Sequence, residues 1–281
     1  MITTKATLRD EISFSGVGIH SGREVRMRLQ PSSGGKIVFC RTDLDDFEVN
    51  PDIKNVDARN CSRILAPKGS IQTVEHLLAV FYALGVDSIV ITMDADEVPA
   101  MDGSALDFAE KVSSTGLRFL PEKKQFIKVL DTIQVEEEGS YIIISPDSGF
   151  KISCSIEYDH PAIGFQELSI SLDDETFLKE IVPARTFGFL KDYENMKKQG
   201  LALGGSLDNA LVLDEKKVIN GPLRYPDEFV RHKILDLIGD LSLLGFPLLA
   251  RVEAYKTGHA LHHKAVSALL DHRDRYEFVS F

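Results

Sequence analysis

Phe229-Val-Arg-His-Lys-Ile-Leu-Asp-Leu-Ile-Gly-Asp240 repeats its apolar residues at the period of a helix and gathers its polar ones on the opposite arc. Val230, Ile234, Leu237, Ile238, Leu241 and Leu244 fall on one half of the wheel. His232, Lys233, Asp236 and Asp240 occupy an arc of roughly 100° on the other. His232 and Asp236 stand four apart, so they share a face and can ligate one ion together. A solvated face usually carries Lys and Glu, so the His-Asp-Asp ladder reads as a metal site, with a surface network as the alternative.

Outward from this segment, the pattern predicts a helix over 228–244 stopped at Gly245, a strand over 247–254, a loop Tyr255–His259 and a helix through about Leu270. The first half runs in the same order. A helix from about Thr73 to Leu84, with Ser70 or Thr73 as N-cap and Gly85 as stop, precedes a strand Ser88–Met93 and a helix around Ala105–Val112. Alternating segments Glu24–Gln30 and Gly35–Cys40 read as strands ahead of it. The expected fold class is α+β: two similar layered β-α-α-β sandwich domains, residues 1–121 and 126–281, parted by the polar stretch Pro121–Gln125. An irregular insertion, about 191–226, carries Gly200, Gly204-Gly205 and Gly221-Pro222, and its length points to a functional element.

Composition narrows the field. The 281 residues are 43% hydrophobic and 27% charged, as in a globular protein with room for two domains. A net charge of -11 argues against nucleic acid as a partner, since phosphate contacts need a basic surface, but leaves room for an anionic small molecule. Three widely spaced cysteines, Cys40, Cys61 and Cys154, fit free thiols in a reducing compartment better than disulfides. No run reaches transmembrane length and the N-terminus has no signal-type core, so a cytoplasmic monomer without stable membrane insertion is expected.

A hydrolytic zinc site wants three protein ligands and one open position. His76, in Thr73-Val-Glu-His-Leu-Leu78, would complete a His2Asp set with His232 and Asp236 across the two halves. Taken alone, Glu75-His76 reads better as a dipole-favoured glutamate beside a packed histidine, and it is the partner helix that favours the metal reading. Beside a metal, Glu75 is placed to act as general base. His259 sits where a loop follows a strand, and Asp240, one turn beyond Asp236, could hydrogen-bond it and keep it protonated. His262 and His263 are expected to face solvent, His272 to be on the surface, and His20 and His160 to lie in turns that could line a pocket.

With these residues assembled, the chain resembles the UDP-3-O-acyl-N-acetylglucosamine deacetylases, the zinc amidases of lipid A biosynthesis. The resemblance runs through Ser15-Gly-Val-Gly-Ile-His-Ser-Gly22, Thr73-Val-Glu-His-Leu77, Met101-Asp-Gly-Ser-Ala105 and Ala184-Arg-Thr-Phe-Gly-Phe189. It continues with Gly200-Leu-Ala-Leu-Gly-Gly-Ser206, Glu228-Phe-Val-Arg-His-Lys233 and Gly258-His-Ala-Leu261. Any one motif is modest; the ordered set is specific. The resemblance implies one catalytic Zn2+, with Fe2+ as an alternative, on His76, His232 and Asp236. It implies Glu75 as base, His259 as cationic acid backed by Asp240, Thr186 on the developing oxyanion, and Lys233 near the substrate's phosphates or the zinc-side polar network. The active site would lie between the two domains, and the insertion would form a hydrophobic passage for an acyl chain through Leu190, Tyr193, Leu201, Leu203, Leu207 and Val212. Tyr158, ahead of His160-Pro161, fits an aromatic that stacks on uracil, and His20, Phe187 and Gly205 fall in matched motifs as further substrate contacts. A lysine expected in the family is Ser140 here, with Lys256 a candidate to compensate, and Leu106-Asp107 stands where the family often has a residue followed by proline. Cys61, within Arg59-Asn-Cys-Ser-Arg63, is given no role. A zinc amidase acting on another acylated substrate and a nucleotide-sugar or lipid-binding protein with a structural metal cluster are the competing readings.

Overall fold

Ile89–Met93 is a short Val/Ile-rich run with alternating burial, and it sits at the centre of a five-stranded sheet. It pairs antiparallel with Glu24–Pro31 and parallel with Ile37–Arg41; Ile12–Val17 and Phe47–Val49 complete the sheet. Leu248–Tyr255 has neighbours of the same kind, antiparallel Ser140–Pro146 and parallel Phe150–Tyr158, within a seven-stranded sheet. The computed structural model describes residues 3–58 and 61–281 of the chain, so Arg59 and Asn60 of the Arg59–Arg63 segment lie outside the described residues. Sheets and helices together make the mixed α+β fold that the sequence predicts.

Six α-helices are described: α1 Glu75–Leu84, α2 Leu106–Thr115, α3 Asp174–Thr176, α4 Leu190–Lys198, α5 Glu228–Leu241 and α6 His259–Asp271. None is long and apolar enough to cross a membrane. Gly85 closes α1 in the left-handed region at φ 77°, its N–H donating to the Phe81 carbonyl. Gly245 does the same at φ 74° after the 3-10 turn Ser242–Leu244 that extends α5. The expected N-caps are not used. Val74 precedes α1, Ser70 lies in the strand Gly69–Gln72, and the Thr73 hydroxyl donates to the buried Glu97 instead. His259 opens α6 and is not part of the loop before it. The insertion is also more regular than its glycines suggest. It contains α4, and Leu211–Leu213 pairs in parallel with Phe187–Phe189.

The buried apolar side chains form one connected cluster that runs through both sheets. Helices α1 and α5 pack against each other within it. The polar arc of α5 does not reach solvent: His232, Asp236 and Asp240 are 2%, 3% and 0% exposed. Gly239 sets how closely the helices cross. A Cβ there would stand 2.7 Å from the Glu75 carbonyl carbon and 2.8 Å from its Cα, both backbone atoms that cannot rotate away. Helix propensity alone favours Gly239→Ala by about 1 kcal/mol. The contact predicts the opposite sign, a loss of about 1–3 kcal/mol as the crossing is forced apart. Chemical denaturation of the variant decides between them, and a midpoint at or above wild type would remove the crossing argument.

Candidate active site

Helices α1 and α5 bring the two ends of the sequence motif set together. His76 Nε2 lies 3.4 Å from Asp236 Oδ1, and His232 Nε2 lies 3.3 Å from the same oxygen. The two imidazole rings are 4.9 Å apart and nearly perpendicular, at 89°. Ligands about 2.0–2.2 Å from a tetrahedral zinc stand roughly 3.4 Å from one another. The donor atoms therefore have the spacing of an ion's coordination shell, and the chemistry of two imidazoles and a carboxylate suits a borderline metal.

The surrounding contacts orient these donors. His232 Nδ1–H donates to the Ala184 carbonyl at 3.0 Å, which leaves Nε2 as the free donor atom. Burial lowers the His232 pKa to about 4, the pull of Asp236 only partly opposing it, so the ring is neutral as a ligand must be. Lys233 Nζ donates to Asp236 Oδ2 at 3.0 Å and turns Oδ1 toward the histidines. Burial opposes the charge on Asp236, but His232 and Lys233 outweigh it and hold its pKa well below the usual carboxylate range. Lys233 is thus tied to the His76, His232 and Asp236 cluster and also lines the cavity beside it.

Glu75 and His259 face each other beside this cluster, with His259 Nε2 3.7 Å from Glu75 Oε1. Burial raises the Glu75 pKa, an effect that His259 and His76 partly offset. His259 moves in the unexpected direction for a buried imidazole. Burial disfavours its charge, but Asp240, whose Oδ2 accepts from Nδ1 at 2.7 Å, outweighs burial and raises the pKa to about 10. Asp240 also accepts from His262 Nδ1 at 2.6 Å and from the Ser62 hydroxyl. Asp240, His259 and His262 could nominally hold an ion. At 2.6–2.7 Å the donor atoms are too close to be neighbouring ligands, for which roughly 3.4 Å is expected, and these contacts are hydrogen bonds. His262 and His263 are 0% and 8% exposed, which corrects their expected placement in solvent: α6 turns both toward the Asp240 carboxylate.

A cavity of about 390 Å³ opens onto the cluster. Glu75, His76, His232, Lys233, Asp236 and His259 line it, together with Thr186, Phe187, His20 and Gly205. Its other wall is apolar and comes largely from the insertion, through Leu190, Tyr193, Met196, Leu207, Val212 and Ile219. Leu201, Leu203, Tyr158 and Lys256 do not line it. Leu203 is 47% exposed, and its backbone N–H donates to the His20 carbonyl. Lys256 is held outside by Glu157, 2.7 Å away, and its carbonyl accepts from Ser140 Oγ. Tyr158 packs against Phe187 and Phe189, with ring centroids 5.8 and 5.9 Å away. Phe189 and His160 line an adjoining cavity of about 620 Å³. His272 is exposed, as expected, and all three cysteines are free and buried.

Sequence reasoning missed three contributors. Gly239 could have been suspected from a glycine inside a helix pattern. Ser62 and Glu97 had no such signal. Glu97 is fully buried and accepts from the His20 and Ser21 N–H groups and the Thr73 hydroxyl, tying the His20 turn to the start of α1.

Comparison with known proteins agrees with this geometry. The family model for LpxC, UDP-3-O-acyl N-acetylglycosamine deacetylase, matches residues 5–271. The UDP-3-O-acyl-N-acetylglucosamine deacetylase of Syntrophus aciditrophicus is 44% identical over 279 residues, covering 98% of this chain and 89% of its own. The enzymes of the same name from Chromobacterium violaceum and Chromohalobacter salexigens are 43% and 42% identical, each covering 98% of this chain and 93% of their own. A match of that extent, over a buried His2Asp triad with a paired Glu and His beside it, makes this chain a member of the UDP-3-O-acyl N-acetylglycosamine deacetylase family.

Proposed function

We propose that the chain hydrolyses the N-acetyl group of UDP-3-O-acyl-N-acetylglucosamine in lipid A biosynthesis, releasing acetate. One observation carries the reading: three buried ligands at coordination spacing share a cavity with a carboxylate and a cationic imidazole. His76, His232 and Asp236 would hold one divalent ion, zinc or alternatively ferrous iron. When bound, that ion supplies Lewis acidity, which polarises a carbonyl and acidifies water beside it.

The protein's own groups divide the remaining work. Glu75, buried and with its proton affinity raised, takes a proton from the attacking water. The Thr186 side chain faces the charge that develops on the carbonyl oxygen, its backbone pinned by bonds to Gly103 and Leu211. His259, protonated because Asp240 stands behind it, adds to that stabilisation and donates its Nε2 proton to the departing sugar nitrogen. The apolar wall from the insertion would receive the acyl chain, and the adjoining cavity near Tyr158, Phe189 and His160 the nucleotide. In this reading residues 1–121 and 126–281 are the two layered units, with the site at their seam, and the enzyme works as a cytoplasmic monomer.

Purified enzyme should contain one zinc-class ion per chain. Chelation should abolish acetate release and zinc return should restore it, while His232→Ala should neither retain the ion nor recover; full activity in the chelated protein would refute the metal reading. Glu75→Gln, folded and metal-loaded, should lose on the order of 10²–10⁴ in kcat; near wild-type turnover would remove the base. Because His259 must be charged to donate, activity falls as pH rises through its pKa, about 10 in the wild type. Asp240→Asn removes the anion that opposes burial, so the alkaline limb of the kcat profile should move to lower pH, and an unmoved limb counts against Asp240 as its cause.

A further inference from the structure

Ser62 touches Glu75 and the carboxylate that stands behind His259. It opens the strand Ser62–Ala66 and is 1% exposed. Its backbone N–H donates to Glu75 Oε2 at 3.2 Å, and its carbonyl accepts from the Val74 N–H just ahead of α1. Its hydroxyl donates to Asp240 Oδ1, while Oδ2 of the same carboxylate accepts from His259. One residue thus grips the base directly and the acid through one intermediary.

The directions of these bonds are forced. Asp240 is ionised, so it only accepts, and the single hydroxyl proton of Ser62 is committed to it. His263 Nε2, 2.8 Å from Ser62 Oγ, must then be the donor to that oxygen. His263 lies against a separate cavity of about 410 Å³, lined also by Ile53, Val56 and Lys264. On the other carboxylate oxygen, His262 Nδ1 donates alongside His259, and His262 Nε2 accepts from the Thr257 hydroxyl at 2.9 Å. The Ser62 hydroxyl, both Asp240 oxygens and both His262 nitrogens each have a partner, which is how a buried network becomes rigid.

We propose that Ser62, fixed by His263, is a positioning residue for the deacetylation: it sets the separation of Glu75 and His259 by holding Glu75 itself and the carboxylate behind His259. The inference rests on the reading of those two residues as base and acid. A serine that merely filled space at this position would affect stability alone.

The test uses the full-length, zinc-loaded enzyme and acetate release from UDP-3-O-acyl-N-acetylglucosamine. Ser62→Ala should lower kcat by about 10- to 100-fold, the scale of outer-shell partners, with KM and metal content unchanged. Ser62→Thr keeps the hydroxyl and should recover most of that loss. His263→Ala should lower kcat in the same sense, and His263→Gln, which retains a donor, should restore it. Imidazole ¹⁵N resonances of the wild type should show His263 protonated at Nε2. Wild-type kcat in folded Ser62→Ala, or a loss that tracks metal or folded fraction alone, overturns the proposal. If Ser62→Ala does not fold, the His263 pair decides, and equal losses in Ala and Gln overturn it. Glu75→Gln run in parallel separates the two readings: undiminished turnover there refutes the acid–base assignment, whereas its loss beside an active Ser62→Ala refutes only the positioning role.

Discussion

The site exists because two helices cross at a distance that only glycine permits. Gly239 of α5 lies against the Glu75 backbone of α1, and the crossing puts His76 Nε2 and His232 Nε2 within 3.4 and 3.3 Å of one carboxylate oxygen. Neither helix holds the cluster by itself: α1 supplies His76 and Glu75, α5 His232, Asp236 and Asp240. A separation wider by one methyl group would spread the donors beyond what a single ion spans, since coordination distances tolerate only a few tenths of an ångström. The apolar faces of both helices, buried in a continuous core, keep the crossing in place.

Around that crossing, polar groups are buried only with their partners. Asp240 is fully enclosed and takes bonds from His259, His262 and Ser62; Glu97 is fully enclosed and takes two backbone N–H groups and a hydroxyl. An unpaired carboxylate at such depth would take up a proton to escape its desolvation cost. The same pairing ties the turns at His20 and Thr73 together, so the cavity wall and the Glu75–His76 end of α1 share one frame.

Much of this was legible in the sequence because it depends on local spacing. The ladder of His232, Asp236 and Asp240 follows from the helical period, the stops at Gly85 and Gly245 from glycine's freedom at positive φ, and the central strands from short Val/Ile-rich runs. What failed was long-range. His262 and His263 look like a polar helix face until Asp240, from another helix, meets them. Thr73 has the composition of an N-cap, but a distant buried carboxylate claims its hydroxyl. Lys256 looks like a free cation near the site, yet Glu157 on a neighbouring strand pairs with it. Ser62 had no local pattern at all, since its role depends on groups from three other segments.

The two carboxylates of α5 explain how one buried environment yields histidines of opposite character. His232 and His259 are both nearly enclosed, and burial pushes each toward the neutral form. For His232 burial prevails over the pull of Asp236, helped by the charges of His76 and Lys233, and the ring is pushed down to about 4. For His259 the charge and hydrogen bond of Asp240, with Glu75 and Asp236 acting in the same direction, outweigh burial and lift the ring to about 10. A turn of helix separates the two aspartates, and each stands beside one of the two histidines. Burial keeps His232 neutral against the pull of Asp236, and the charges of His76 and Lys233 act in the same direction as burial.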